Sequence, residues 1–216
     1  MTRTVVLWRH GRTHWNVQGK VQGTTDVPLD DVGREQAQAA AARLAALLPA
    51  AIASSDLSRA LDTAESLATL TDLPVRSDER LREMNFGARE GLSWAEAWDK
   101  FPEGMQAWVS GDETQIPGSE THRQAAERFV AGVTAYLDLM DDDSTLVVVA
   151  HGAVLRVGAC MFLGIEEPSW RRFGGLSNCS WSVLEESRYR DRRFWRLTDW
   201  NAGTLPEPVM SDDRMS

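Results

Sequence analysis

The chain has 216 residues, with 23 Lys and Arg against 32 Asp and Glu and a formal net charge of -9. That length suits one large domain with a sizeable core, and the acidic balance argues against nucleic acid or an anionic membrane as partner, since both reward a basic surface. No apolar stretch is long enough for a signal core or a bilayer span and the first strand begins almost at Met1, so a cytoplasmic protein is expected, with any basic pocket a local one.

In chain order, apolar runs alternate with helical patterns. Residues 4–8 read as a buried strand, and 30–48 as an Ala-rich amphipathic helix with Asp30 or Asp31 placed to cap it and Pro49 ending it. Residues 51–54 are a second short strand. Asp56 is then expected to cap a helix through residue 70, which puts Arg59 in the first turn, where its side chain can reach an anion over the sheet edge. A third strand is read at 74–76.

The segment 94–109 is helical in pattern but crowded with Trp94, Trp98, Phe101, Met105 and Trp108, and 111–118 breaks it. Helix returns over 121–140, 145–150 is the clearest buried strand, and 153–162 is a helix that starts just after His151. Residues 180–185 and 193–197 read as closing strands antiparallel to their neighbours, and 203–216, with Pro206 and Pro208, as an extended arm. No repeat, low-complexity block or linker divides the chain, so 1–216 is expected to form a single α/β domain. Cys160 and Cys179 are too few for a disulfide framework and lack metal-ligand spacing; they read as reduced, buried thiols.

Two apolar runs end in His-Gly: Leu7, Trp8, Arg9, His10, Gly11, and Val149, Ala150, His151, Gly152. A strand that delivers a histidine at its C-terminal end, with a glycine next to admit a ligand, builds a site at the edge of an open α/β sheet. A guanidinium fork such as that of Arg9 beside an imidazole suits a dianionic phosphoryl group better than a metal ion.

The motifs together resemble the histidine phosphatase superfamily, also called phosphoglycerate mutase-like. Arg9 to Asn16 followed by Gln22, Gly23 and Asp26 to Leu29 is similar to its opening signature. Ser54 to Ala60 with Thr63 and Ala64 is similar to the second block, Leu81, Arg82, Glu83, Phe86, Gly87 and Glu90 to Leu92 to the third, and Ala150, His151, Gly152 to the fourth. Four blocks in the correct order are specific where Arg-His-Gly alone is weak. Phe173 to Trp181 and Asp199 to Gly203 resemble an actinobacterial branch that includes glucosyl-3-phosphoglycerate phosphatases. The resemblance implies a three-layer α/β/α sandwich on a mostly parallel sheet with an antiparallel edge. It also implies hydrolysis of a small phosphomonoester, such as a sugar-linked phosphoglycerate, through a phosphohistidine at His10. Neither metal nor other cofactor is expected; the partners expected are a small phosphorylated metabolite and, at most, a second copy of the chain.

The residue types make chemical sense of this. A neutral imidazole can attack phosphorus and split a hard hydrolysis into two easier steps. Arg9 and Arg59 disfavour a protonated His10 and neutralise the phosphoryl oxygens, and His151 adds a donor to the same oxygens. Asn16 and the backbone around Gln22, Gly23 and Gly152 are expected to complete an anion nest. Glu83 fits a general acid that protonates the departing oxygen and then a base that activates water, which calls for burial to raise its pKa while the arginines pull the other way. The bland alternatives are a surface Arg59 paired with Asp56 or Asp62, and Glu83 paired with Arg80 or Arg82.

His14 and His122 read as solvated or capping residues, and Glu120 as a supporting or helix-start residue. Arg12 stands where many members of the family carry Glu or Gln, and Arg89 where a Trp is frequent, so the mouth of the site is expected to be more basic than usual. The mutases of the family carry an adjacent Arg pair between the blocks of Glu83 and His151; this chain has none there, and Arg171 and Arg172 lie past His151. Isomerisation of a phosphoglycerate, and non-catalytic binding of a phosphoryl ligand or partner, stand as the alternatives. The aromatic segment 94–109 is expected to be either a lid that selects the non-phosphate part of the substrate or an ordinary core helix.

Overall fold

The computed structural model describes residues 2–190 and 192–203. Six strands form one sheet in the order β3-β2-β4-β1-β5-β6: β1 (Thr4–Arg9), β2 (Ala51–Ser54), β3 (Val75–Ser77), β4 (Thr145–Ala150), β5 (Trp181–Tyr189) and β6 (Arg192–Ala202). The first four run parallel; β5 is antiparallel to β1, and β6 to β5. In the β1–β4 register Arg9 lies opposite Ala150, so the two His-Gly deliveries leave neighbouring strands side by side, and the His10 amide donates to the Ala150 carbonyl at 3.0 Å.

The helices are α1 (His14–Val17), α2 (Asp31–Leu44), α3 (Ser58–Thr71), α4 (Trp94–Lys100), α5 (Pro102–Ser110), α6 (His122–Leu137) and α7 (Gly152–Phe162). Alternation along the central strands divides the interior into two cores. Val5, Leu7, Leu146 and Val148 face α6 and α7, whereas Val6, Trp8, Val147 and Val149 face α2 and α3. Burying each such Val or Leu contributes about 1.5–3 kcal/mol, and this two-sided core sets the three-layer α/β/α sandwich. Both cysteines are free and buried, with burial raising their thiol pKa values. Among the described residues no helix is long and apolar enough to cross a membrane.

Several expected elements differ in detail. Asp30 does cap α2, accepting from the Gly33 amide at 2.7 Å, but Asp56 does not cap α3. Asp26 takes that place from another loop, its Oδ1 accepting from the Ser58 amide and hydroxyl, while Asp56 is drawn to Arg82. The single helix expected over 94–109 is two helices, because Pro102 at the start of α5 disfavours helical backbone at Phe101, which sits at φ -133° and ψ 56°. Around that break Ala97, Met105 and Ile116 form a small core of their own with Trp94, Trp98 and Phe101. The arm expected over 203–216 lies outside the described residues from 204 onward.

Candidate active site

His10, Arg9, Arg59, Glu83 and His151 are buried together at the C-terminal edge of β1 and β4. The His10 and His151 ring centroids are 5.1 Å apart with the planes tilted by 58°. Burial first, then the charges of Arg59 and Arg9, holds the His10 pKa well below the ordinary histidine value. His151 is lowered likewise, by burial and then by Arg59, His10 and Arg9. Both rings are therefore neutral near pH 7, and their tautomers follow from their partners. Nδ1 of His10 lies 2.7 Å from the Gly11 carbonyl oxygen, which can only accept, so Nδ1 carries the hydrogen and Nε2 the lone pair. Nε of Arg59 donates to Nδ1 of His151 at 3.2 Å, so Nε2 of His151 carries its hydrogen.

Arg59, in the first turn of α3 as expected, also donates from Nη1 to the Thr25 carbonyl and from Nη2 to the Gly23 carbonyl. Its bland alternative fails, since Asp56 is paired with Arg82 and Asp62 faces Arg34. Gly23 thus supplies a carbonyl that anchors Arg59, where an amide facing the anion was expected. Its φ of +53° and a neighbouring Glu90 that would overlap any Cβ admit only glycine there.

Nη1 of Arg9 is fixed on the Leu176 carbonyl at 2.6 Å. Its remaining edge, Nε and Nη2, meets no acceptor among the described residues, and neither do Nδ2 of Asn16, Nε2 of Gln22 and Nε2 of His151. Buried donors of this kind are rare and mark where a ligand belongs. The amide oxygens of Asn16 and Gln22 both face the Thr13 hydroxyl, at 3.1 and 3.0 Å, which leaves their NH2 groups for an anion. A tetrahedral oxyanion beside Nε2 of His10 would satisfy this set. Gly152 opens α7 against the Arg9 guanidinium, 3.4 Å from where a Cβ would stand.

Glu83 is 1% exposed, while Arg80 faces Asp78 and Arg82 faces Asp56. The Glu83 carboxylate accepts the amides of Met84, Ala153 and Val154 at 2.8–3.0 Å, occupying the otherwise uncapped start of α7 right after His151. Arg128 clasps the same stretch from behind, donating to the carbonyls of Arg80, Arg82 and Glu83 while Glu120 pairs with it. Glu120 is thus a supporting residue; the helix start belongs to Thr121.

Sequence reasoning missed Glu90, Thr13 and Asn178. Glu90 takes the amides of Thr24, Thr25 and Phe86, binding the Arg59-anchoring loop to the third block. Asn178 donates to the carbonyls of His10 and Gly11. His14 is exposed, as expected, but His122 is buried, its amide and ring bound to Glu113 and its Nε2 3.2 Å from Nη2 of Arg156. The basic mouth is also corrected. Arg12 is paired with Asp30 at 2.8 Å, and Arg89 is buried over the rings of Phe86 and Trp108. Among the described residues no three His, Cys, Asp or Glu side chains are grouped to hold a metal ion.

Residues 5–203 match the model of the histidine phosphatase superfamily (branch 1). The chain is 36% identical over 214 residues to the glucosyl-3-phosphoglycerate phosphatase of Mycolicibacterium vanbaalenii, covering 93% of this chain and 95% of that protein. It is 36% identical over 201 residues to a metal-independent phosphoserine phosphatase of Arabidopsis thaliana, covering 91% and 80%. A solved structure of mycobacterial glucosyl-3-phosphoglycerate phosphatase with VO3 superposes with a TM-score of 0.85 at 36% identity, covering 93% of this chain and 100% of that one.

Proposed function

This chain belongs to the histidine phosphatase superfamily and is a phosphoric monoester hydrolase, and we propose that it acts on a small phosphorylated metabolite of the sugar or glycerate class through His10. The observation that carries this reading is the pairing of a neutral His10, its Nε2 lone pair exposed by the Gly11 hydrogen bond, with unsatisfied donors on Arg9, Asn16, Gln22 and His151. In the first step Nε2 of His10 attacks phosphorus and the bond to the ester oxygen breaks, while the donors stabilise charge on the equatorial oxygens. Glu83 gives its proton to the departing alkoxide, then takes one from the water that cleaves the N–P bond, releasing phosphate and restoring His10. Arg59 acts by charge and by fixing the His151 tautomer. The α4–α5 segment serves as the lid over the leaving group.

A glucosyl-3-phosphoglycerate is the leading substrate because the relatives with that activity match nearly end to end. The reaction is read as cytoplasmic, by the chain alone or as a homodimer. Phosphate release with glucosyl-3-phosphoglycerate, 3-phosphoglycerate and phosphoserine, each with excess chelator, tests the proposal. Metal-free phosphate release supports it; conversion of 3-phosphoglycerate to 2-phosphoglycerate without release would make the chain a mutase, and no turnover of any ester a binding protein.

A further inference from the structure

Arg89 repeats, away from His10, the pattern by which Arg9 marks the phosphoryl site. It is 3% exposed, and its Nε and Nη2 meet no acceptor among the described residues, the same two atoms left open on Arg9. These two N–H groups lie on one edge of a guanidinium and point the same way, spaced for the two oxygens of a carboxylate. The cation rests between two rings, 5.0 Å from the centroid of Phe86 and 4.6 Å from that of Trp108, and the Trp108 indole N–H also lacks an acceptor. The nearest acid that acts on it, Glu113, is committed to His122 and Arg171. Burial pulls the Arg89 pKa down to about 10, a sign of how little surrounds the charge to stabilise it, with Glu113 opposing from a distance.

The surroundings tie Arg89 to elements that carry the phosphoryl site. Arg89 lies six residues after Glu83, and backbone hydrogen bonds between Val21 and both Gly91 and Leu92 pin its segment to the loop that carries Gln22. On the other side Trp108 stacks near His122, which touches Arg156 of α7, the helix that begins after His151. Arg89 therefore sits on a segment paired with the Gln22 loop, against Trp108 of α5. We propose that the open edge of Arg89 binds a carboxylate on the non-phosphate part of the substrate, making the enzyme selective for phosphomonoesters that carry a second anion. This rests on the phosphatase reading above and extends it to the substrate class. A hydroxyl has one oxygen to offer and no charge, so it cannot satisfy the edge.

The test compares 3-phospho-D-glycerate with sn-glycerol 1-phosphate, which share one C2 configuration and differ only in a carboxylate against a hydroxymethyl group. For the wild-type chain kcat/KM should favour the glycerate by roughly 10- to 100-fold, as expected of a charge-assisted bidentate contact. In Arg89→Met the ratio should fall to within about threefold, and Arg89→Lys, which keeps the charge without the fork, should fall between. The ratio is internal to each variant, so partial misfolding does not mimic the effect. Should neither variant fold, competition by D-glycerate and by glycerol against p-nitrophenyl phosphate in the wild type decides. D-glycerate should compete far better. A wild-type ratio near one, equal competition, or an undiminished ratio in Arg89→Met would overturn the proposal while p-nitrophenyl phosphate turnover left the phosphatase intact. No turnover of any of the three esters would overturn both.

Discussion

Nε of Arg59 donates to Nδ1 of His151 at 3.2 Å, so a positive charge sits permanently on the imidazole face turned away from the substrate. A second proton on that ring would meet Arg59 head-on, and His10 is under the same pressure from Arg59 and Arg9. Both histidines therefore stay neutral well below the ordinary value of 6.5. Once the ionisation of the substrate is divided out, the acid limb of kcat/KM should fall well below pH 6.5, and a limb at or above that value would contradict the charge arrangement. Stability carries the same sign. A folded-state histidine pKa below the unfolded one contributes stability that is full above about pH 6.5 and is lost as pH falls from there toward the lowered value. Denaturant midpoints measured from pH 7.5 downward should decline from that point.

Glu83→Gln preserves shape and removes the transferable proton. The cost should be at least about 100-fold in kcat for alkyl phosphates, within the usual range for general acid catalysis, and much smaller for aryl phosphates whose phenolate leaves unaided. Equal losses in single-turnover assays of both substrates would exclude Glu83 as the acid. The glutamine must also face the three amides that now donate to the carboxylate, so a modest fall in Tm should accompany the kinetic change in thermal melts.

Glu90 acts through others. Its carboxylate holds Thr24 and Thr25, whose loop supplies the carbonyls that anchor Arg59. Glu90→Ala should lower kcat/KM at least about tenfold, on the scale of a small displacement of a charged donor, and Glu90→Gln, which keeps one accepting oxygen, should recover part of it. If both variants melt earlier yet retain wild-type kcat and KM, Glu90 is structural only.

Most of the fold was legible because the signals were local. The runs at 51–54 and 145–150 coincide with β2 and β4, and the four blocks contain Arg9, Arg59, Glu83 and His151, which are buried with His10. What escaped was non-local. The α3 start is capped by Asp26 from a different loop, and Asp56, the obvious choice by spacing, is taken by Arg82 across 26 positions. His122 reads as a solvated or capping residue, yet it is buried and meets Glu113 and Arg156 from two other elements. Arg89 reads as a mouth residue because it stands where a Trp is frequent in the family; the rings of Phe86 and Trp108 that cover it lie on either side of it in the chain. Pro102 was a local signal, and it does divide the aromatic segment.

That division separates the lid and core readings between two tryptophans. Trp108 is 4% exposed and flanked by Arg89, Arg171 and His122, so Trp108→Ala should cost about 3–5 kcal/mol of stability in denaturant unfolding. Trp98 is only half-buried, on the small core of Met105 and Ile116. Trp98→Ala should shift kcat/KM unequally across substrates with little change in Tm. An unchanged substrate ranking together with a large fall in Tm for Trp98→Ala would make the segment a core element and not a lid.

The central claim is that Nε2 of His10 carries the phosphoryl group between the two steps. Rapid acid-free quenching of the wild-type chain with a phosphomonoester, followed by peptide mass spectrometry under alkaline conditions, reads this directly. The account predicts one phosphoryl group on His10, transient in the wild type, longer-lived in Glu83→Gln with an aryl phosphate, and absent in His10→Ala, which should keep its fold and lose turnover. Phosphate on another side chain, or wild-type turnover by His10→Ala, would contradict it.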